Sequence, residues 1–60
     1  MTKRYAIHIY VDNNTVTIVV ERNGRFYDEV GFHVEEVREI SHYITKLLAE
    51  EILSEKEKQK

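Results

Sequence analysis

The chain of 60 residues contains no cysteine, no proline and no tryptophan, and only two glycines. The lack of cysteine excludes disulfides and thiolate metal ligands. A domain of this length buries only about 60% of the surface that its unfolded chain exposes, and its core supplies roughly 3–5 kcal/mol. Natural domains of this size commonly add a disulfide, a metal or a partner chain. The missing cysteines therefore favour self-association, and we expect a homodimer.

Two further absences narrow the function. The formal net charge is −2 and charges of both signs are interspersed, which is not the basic footprint of a nucleic-acid binder. No apolar stretch approaches the roughly 18 residues that a membrane-spanning helix needs, and the N-terminal "MTKRYAIHIYV" lacks the small-residue cleavage site of a signal peptide. We expect one cytoplasmic domain over residues 1–60, with no membrane association and no cofactor.

The first half of the chain alternates apolar and polar side chains with a period of two, the pattern of β-strands. The alternation covers residues 4–11, "RYAIHIYV", and 15–21, "TVTIVVE". Between them Asn13-Asn14 suits a two-residue loop, because asparagine tolerates the left-handed backbone of a type I′ turn. This loop predicts three apolar cross-strand pairs: Val11 with Val16, Ile9 with Ile18, and Ile7 with Val20.

An Asn-Gly turn at residues 23–24 decides the register of the third strand. A two-residue loop would place Val20 opposite Tyr27 and turn Phe26 away from the core. A three-residue loop that includes Arg22, with the glycine in the left-handed position, places Val20 opposite Phe26. Because a one-residue slip moves every side chain to the other face, we choose the three-residue loop. It also places Val16 opposite Val30 by the same count.

In the chosen register Asp28 points toward the core, opposite Ile18. An inward charge on an edge strand discourages edge-to-edge pairing, whereas a buried carboxylate with a raised pKa can serve as an acid or base. We favour edge protection. The three histidines, His8, His33 and His42, lack metal-ligand spacing, and the serines have no His–acid arrangement. We expect no catalytic residues and no metal site, so the chain is not predicted to be an enzyme.

The second half of the chain predicts one long helix over about residues 33–55, with a charged tail at 56–60 that frays. Its first turn carries Glu35 and Glu36, which suit the helix dipole, after a mediocre cap at His33. Seven apolar residues recur at helical spacing: Val34, Val37, Ile40, Ile44, Leu47, Leu48 and Ile52.

The predicted fold is α+β, with the order β-β-β-α: a three-stranded antiparallel meander of order 1-2-3, about residues 4–31, and one C-terminal helix packed on one face. A helix of about 22 residues is about 33 Å long, whereas a seven-residue strand is only about 23 Å long. The helix should therefore overhang the sheet. Ile52 and Leu53 are expected to lie in that overhang, where a partner could cover them.

The sheet face turned away from the helix is a second apolar surface. In the chosen register, His8, Val19 and Tyr27 form a cross-strand row with a charged rim, which is typical of a protein contact. The first strand also has no proline and no central lysine to protect its edge. The residues expected to bind a partner or to form the dimer interface are His8, Tyr10, Val19, Tyr27, Ile52 and Leu53.

Three alternatives to a protein contact remain. The exposed residues are good strand formers and need no partner, and a mini-domain without a ligand is compatible with the long Glu- and Lys-rich helix. Aromatic side chains on an open sheet can also stack bases, as in RNA-recognition domains. Basic residues flank such faces, whereas here Glu21 and Glu29 counter Arg25, so nucleic acid ranks below protein.

The segment "GFHVEEV", residues 31–37, resembles the HicB-like antitoxin domain, which has a partial ribonuclease H-like fold. The family pattern there is a glycine, a small polar cap, an aliphatic residue, two glutamates and an alanine. Gly31, Val34, Glu35 and Glu36 match it. The topology expected for most of the chain agrees with this family.

The chain also departs from the family pattern. Val37 replaces the alanine, His33 replaces the usual threonine, and the Pro-Asp-x-Pro-Gly-Cys segment before the third strand is missing. The resemblance implies an oligomeric protein that binds a toxin or another protein partner without catalysis. The predicted function is thus a small non-catalytic protein-interaction module, antitoxin-like or inhibitor-like, that acts as a homodimer; its heterologous partner would be a toxin or an enzyme.

Overall fold

A computed structural model of the protein describes residues 2–58. It contains three antiparallel strands in the order 1-2-3 and one helix: β1 (Tyr5–Asp12), β2 (Thr15–Arg22), β3 (Arg25–His33) and α1 (Val37–Lys58). The β-β-β-α fold expected from the sequence is confirmed. The helix continues through the first part of the tail that was expected to fray, and residues 59 and 60 lie outside the described residues.

The first hairpin has the register that its sequence predicts. All three predicted apolar pairs form, and they put Ile7, Ile9 and Val11 on the face that packs toward the helix. The loop consists of Asn13 and Asn14. Asn13 has a φ of 54° and Asn14 does not have a positive φ, which is the sign pattern of a type II′ turn instead of the expected type I′.

The second hairpin uses a two-residue loop, so the three-residue loop expected from the sequence is wrong. Asn23 has a φ of 53° and Gly24 a φ of 81°, and two left-handed residues are what a type I′ turn requires. The loop is tied to the start of the chain, where the N–H of Asn23 donates to the carbonyl of Arg4 at 2.8 Å. In return the N–H of Arg4 donates to the Asn23 side chain at 2.9 Å.

A β-bulge in β3 then restores the parity that the core needs. Glu21 pairs with Phe26 and Val20 pairs with Asp28, so Tyr27 is the extra residue. The expected pairing of Val20 with Phe26 is therefore wrong. Because partners across a ladder share a face, Phe26 lies on the same side as Glu21, away from the helix, and Asp28 lies on the side of Val20.

Beyond the bulge the even-numbered residues of β3 do face the helix, but two positions further along than expected. Ile18 pairs with Val30 where Asp28 was expected, and Val16 pairs with Phe32 where Val30 was expected. From Asp28 onward the faces were predicted correctly, because one extra residue in the loop and one extra residue in a bulge shift the alternation by the same single step. The faces of residues 25–27, which precede that point, were predicted wrongly.

The two glycines allow a matched test of the turn. A Cβ would meet nothing within 4 Å at Gly24 or at Gly31, and only Gly24 has a left-handed φ, +81°. We expect Gly24→Ala to lower the free energy of unfolding by about 1–2 kcal/mol, the cost of an L-residue in that region. Gly31→Ala should leave it unchanged or raise it by up to about 1 kcal/mol. Urea denaturation measures both, and equal losses would contradict the turn geometry.

The core lies between the central strand and the middle of the helix. Its buried hydrophobic residues are Val16, Ile18, Val20 and Leu47. Partly buried residues surround them: Tyr5, Ile7, Val30, Phe32, Ile40, Tyr43 and Ile44. Three of the four buried residues belong to β2, because only the central strand has neighbours on both sides as well as the helix above it.

The helix is rotated relative to the apolar stripe that its sequence predicts. Tyr43, which is outside that stripe, packs its ring 6.2 Å from that of Phe32 and donates its hydroxyl to Asp28 at 2.8 Å. At about 100° per residue, this orientation leaves part of the predicted stripe exposed: Val37, Leu48 and Ile52.

The helix begins at Val37, four residues later than expected, because β3 continues past Gly31 to His33. The N–H of His33 donates to Oε1 of Glu36 at 2.8 Å, and the N–H of Glu36 donates to the carbonyl of His33 at 2.9 Å. These two bonds close the turn that precedes α1. The first bond of the helix runs from the N–H of Ile40 to the carbonyl of Glu36 at 3.0 Å, so Glu36 is the N-cap residue and the expected cap at His33 is wrong.

Candidate functional site

The open face, defined here as the sheet face away from α1, keeps most of the residues expected there. His8 pairs with Val19, and Tyr10 lies beside them on the same face of β1. On the other side Val19 pairs with Glu29, not with Tyr27. Nε2 of His8 lies 3.5 Å from a carboxylate oxygen of Glu21. The centre of this face is therefore mixed, with acidic groups next to the aromatic ones.

Tyr27 does not belong to the open face, so its place in the predicted row is wrong. Its ring lies 5.6 Å from the ring of Tyr5, whose hydroxyl reaches the helix at Glu50. The guanidinium of Arg22 lies 4.5 Å from the centre of the Tyr27 ring. The two-residue loop is the cause, because it places Tyr27 on the side of Val20, and the bulge then brings Asp28 to that same side.

Phe26 lies on the open face, although the three-residue loop expected from the sequence would have placed it toward the core. Its side chain is 68% exposed, and its cross-strand partner is Glu21. The signal that could have identified it is the Asn-Gly dipeptide, which is the strongest sequence indication of a two-residue loop.

The end of the helix is anchored to the start of the chain. The N–H of Lys3 donates to Oγ of Ser54 at 2.9 Å, and the N–H of Tyr5 donates to Oε1 of Glu51 at 2.9 Å. The Tyr5 hydroxyl donates to Glu50 at 2.6 Å. Ser54 is buried and in turn donates to the carbonyl of Glu51 at 2.8 Å, so its hydroxyl is engaged in structural contacts.

Ile52 and Leu53 are exposed where the helix reaches the start of β1. Their neighbours Glu51 and Ser54 bond the N-terminal segment, so the helix still lies against the chain at this level. Ile52 and Leu53 are exposed because they point away from it. On a helical projection they lie on opposite flanks, so they do not form one patch.

The helix changes its partner strand along its length: its last turns contact the start of β1, and its middle contacts β3. Tyr43 contacts Asp28 and Phe32 on β3. In a helical projection, Tyr43 lies on one side of Leu47, and Val37 and Leu48 lie on the other. Because Tyr43 faces β3, Val37 and Leu48 face the β1 side. These side chains are exposed, so the apolar flank of α1 has nothing packed on it within the described part of the chain.

The second half of β1 is exposed on the face of the sheet that the helix packs against. Ile9 is 52% exposed, and Val11 is also exposed, although their partners Ile18 and Val16 are core residues. Val34 is near, since its N–H donates to the carbonyl of Asn14 at 2.8 Å. We call this surface the β1 groove, and its five residues are Ile9, Val11, Val34, Val37 and Leu48.

The groove adjoins a strand edge with free backbone groups. A two-residue loop makes Asp12 and Thr15 a hydrogen-bonded pair, so the even-numbered residues of β1 bond β2 and the odd-numbered ones face outward. The outward N–H groups of Lys3 and Tyr5 are taken by the helix end. From Ile7 to Val11 the outward groups face the open edge.

The two edges of the sheet differ in their protection. The β3 edge contains the bulge and carries the inward Asp28, and both features discourage strand pairing. The open stretch of β1, "IHIYV", contains no lysine, no proline and no carboxylate. The uncovered apolar surface and the unprotected edge thus coincide at β1.

The inward carboxylate of Asp28 has a hydrogen-bond partner on the helix. Asp28 accepts the Tyr43 hydroxyl, an arrangement that fits a structural role for this carboxylate. In the described part of the chain no three His, Cys, Asp or Glu side chains are grouped so that they could hold a metal ion.

Alkaline pH is expected to destabilise the fold through two tyrosines. Burial and the hydrogen bond to Glu50 raise the pKa of Tyr5 from 10.0 to about 12, and burial and Asp28 raise the pKa of Tyr43 further. The unfolded chain then loses both protons at a lower pH than the folded one, so stability is complete below about pH 10 and falls as the pH rises toward about 12.

Urea denaturation across this pH range measures the effect on wild type and on the Tyr5→Phe, Tyr43→Phe double variant. The double variant should lose less free energy of unfolding between about pH 10 and 12 than the wild type does. An identical decline in both proteins would assign it to other groups, such as lysines, and contradict the role of these two tyrosines.

No protein-family model, curated protein or solved structure matches this chain. Within residues 2–58 no helix is both long enough and apolar enough to cross a membrane.

Proposed function

We propose that this protein is a small non-catalytic interaction module that accepts an extended segment of polypeptide along β1. Strand addition requires a free edge for main-chain hydrogen bonds and a pocket for alternate side chains. The observation that carries the proposal is that both occur together: the edge is open from Ile7 to Val11, and Ile9 and Val11 within that stretch expose apolar side chains beside α1.

The β1 groove fits a protein partner better than the open face does. Its five residues are all aliphatic, and burying them would remove apolar surface from water, the main favourable term in association. On the open face, Glu21 and Glu29 flank Val19, and a partner there would have to desolvate these carboxylates. The open face supports a secondary contact beside β1, at His8 and Tyr10.

An antitoxin-like or inhibitor-like role is part of the same proposal. A module without chemistry of its own acts by occupying a surface of its partner, and a toxin or an enzyme is the kind of partner for which occupation changes an activity. The resemblance of residues 31–37 to HicB-like antitoxins supports this role. A cytoplasmic location also belongs to the proposal and agrees with the lack of cysteine.

Selection from a random peptide library displayed on phage, with the protein at a concentration where its mass is that of a monomer, tests the proposed mode of binding. We expect the wild type to enrich peptides with alternating aliphatic residues. Their affinity should fall at least about tenfold for Ile9→Lys, which places a charge in the groove. Leu53→Lys is the matched control, because Leu53 is equally exposed but on the other flank of α1. Peptides indifferent to Ile9→Lys, or no enrichment at all, would contradict the proposal.

One observation favours a second candidate function, association with nucleic acid. The exposed Phe26 lies next to Arg25, and Arg4 and Arg22 are at the same end of the sheet, around the loop that Asn23 ties to Arg4. Bases stack on exposed aromatic rings while arginines neutralise phosphates. This site differs from the centre of the open face considered from the sequence.

Fluorescence anisotropy with a labelled oligothymidylate at low and high salt tests this second function. If the protein binds nucleic acid here, the affinity should fall steeply with salt, and both Phe26→Ala and Arg25→Glu should weaken it. Tyr10→Ala is the control, since it removes an exposed aromatic ring from the open face away from the basic end. Binding that is absent at low salt, or equally sensitive to Tyr10→Ala, would exclude this function.

A further inference from the structure

We infer that the polypeptide in the β1 groove is a second copy of this chain, paired antiparallel along β1 about a two-fold axis at Ile9. The inference rests on the proposed function, because it names the occupant of the same surface. It joins the sheets of the two copies into one continuous sheet, with the two β1 strands at its centre.

The extent of the open edge selects this register. The outward groups from Ile7 to Val11 are open, whereas that of Tyr5 is closed by Glu51. An axis at Ile9 pairs Ile7 of one copy with Val11 of the other and uses the whole open stretch, which gives about six main-chain hydrogen bonds. With the axis at His8 or Tyr10, the outermost pair would have to include Tyr5 or a loop residue. Only about four main-chain hydrogen bonds would then remain.

The side chains in this register match on both faces. On the helix side Ile9 meets Ile9 of the other copy and Ile7 meets Val11, so each contact is between aliphatic groups. On the open face His8 meets Tyr10, and the two open faces become continuous. The closed end of the edge, at Glu51, falls outside the paired stretch in both copies.

The size of the surface also fits a second copy. Each exposed aliphatic side chain of the β1 groove contributes on the order of 100 Å² that burial would remove. The five residues of the groove give roughly 500 Å² for each copy and about 1,000 Å² for the pair, the smallest area expected of a biological interface. The interface is self-complementary, as a two-fold dimer requires, and the protected β3 edges remain outermost, so the assembly closes at two copies.

Cysteine cross-linking tests the register, because the native chain contains no cysteine. Ile9→Cys should form a disulfide dimer on mild oxidation, since Cα atoms of a hydrogen-bonded pair are about 5.5 Å apart and disulfides span about 4.4–6.8 Å. Val11→Cys alone should not, because its two copies would be roughly 13 Å apart along the strands. A mixture of Ile7→Cys and Val11→Cys should cross-link, and Leu53→Cys gives the background of random collisions.

The solution mass tests the dimer without a new disulfide. Light scattering over a concentration series should give twice the chain mass of 7.2 kDa for the wild type. Ile9→Lys should raise the dissociation constant at least about tenfold, while Leu53→Lys should leave it within about twofold. Far-UV circular dichroism establishes that each variant is folded.

Each result has a defined consequence. A wild type that is monomeric at every concentration, or cross-linking of Ile9→Cys no faster than that of Leu53→Cys, overturns the homodimer. If library peptides still lose affinity with Ile9→Lys in that case, the groove accepts a different chain and the proposed function stands. A dimer in which Val11→Cys cross-links alone overturns the axis at Ile9.

Discussion

Ile18→Ala should lower the free energy of unfolding by about 2–5 kcal/mol, the range for deleting a large aliphatic side chain from a core. That loss equals most of the stability expected of so small a core. Ile18 has no exposed surface and lies at the centre of the middle strand, between Ile9 and Val30. Urea denaturation followed by far-UV circular dichroism measures the change, and we expect the variant to be largely unfolded at about 37 °C.

Ile9→Ala is the matched control for this prediction. Ile9 is the same residue type, on the same face of the sheet and directly across from Ile18, but its side chain is half exposed. At a protein concentration where the mass is that of a monomer, its loss should cost less than about 1 kcal/mol, in line with surface substitutions that leave the core intact. Equal losses for the two variants would contradict the position of the core.

The first hairpin could be predicted from the sequence because three independent signals agree. The alternation of β1, the alternation of β2 and the two asparagines between them all give the same apolar pairs, including Ile9 with Ile18. A one-residue slip would turn a full set of apolar side chains to water. Burial therefore selects the register without help from the turn type, which the sequence did not predict correctly.

The second hairpin could not be predicted in the same way because its signals conflict. The Asn-Gly dipeptide demands a two-residue loop, but continuing β3 from that loop without a break would put Tyr27 opposite Val20 and Val30 away from the core. The protein satisfies both demands by adding one unpaired residue at Tyr27. Bulges of this kind depend on contacts made elsewhere, here with Tyr5 and Arg22, and no local pattern encodes those contacts.

The candidate site depends on the rotation of the helix, which the sequence leaves open. The apolar stripe of α1 is wider than the surface that one sheet can cover. The hydroxyl of Tyr43 decides which part is buried, because it needs a partner and finds Asp28. The sequence identified exposed residues on the open face and at the helix end. It missed the groove, because Ile9, Val11 and Leu48 were all expected to lie against the core.

Leu47→Ala and Leu48→Ala should separate the buried flank of the helix from the exposed one. The two leucines are adjacent and both belong to the predicted apolar stripe, but Leu47 is 3% exposed and Leu48 is 49% exposed. We expect Leu47→Ala to lower the free energy of unfolding by about 2–5 kcal/mol and Leu48→Ala to lower it by less than about 1 kcal/mol. Urea denaturation of both variants at a concentration that keeps the protein monomeric measures the difference.

The same pair of variants also separates folding from association, because the two leucines face different partners. Leu48 lies in the β1 groove, so its loss should weaken the self-association of a protein whose monomer remains stable. A mild second variant at the buried site, Leu47→Met, keeps the side-chain volume and should leave the dissociation constant unchanged while it lowers the stability slightly. If Leu48→Ala instead destabilised the monomer as much as Leu47→Ala, the helix would have to be rotated by about one residue, and the groove would be part of the core.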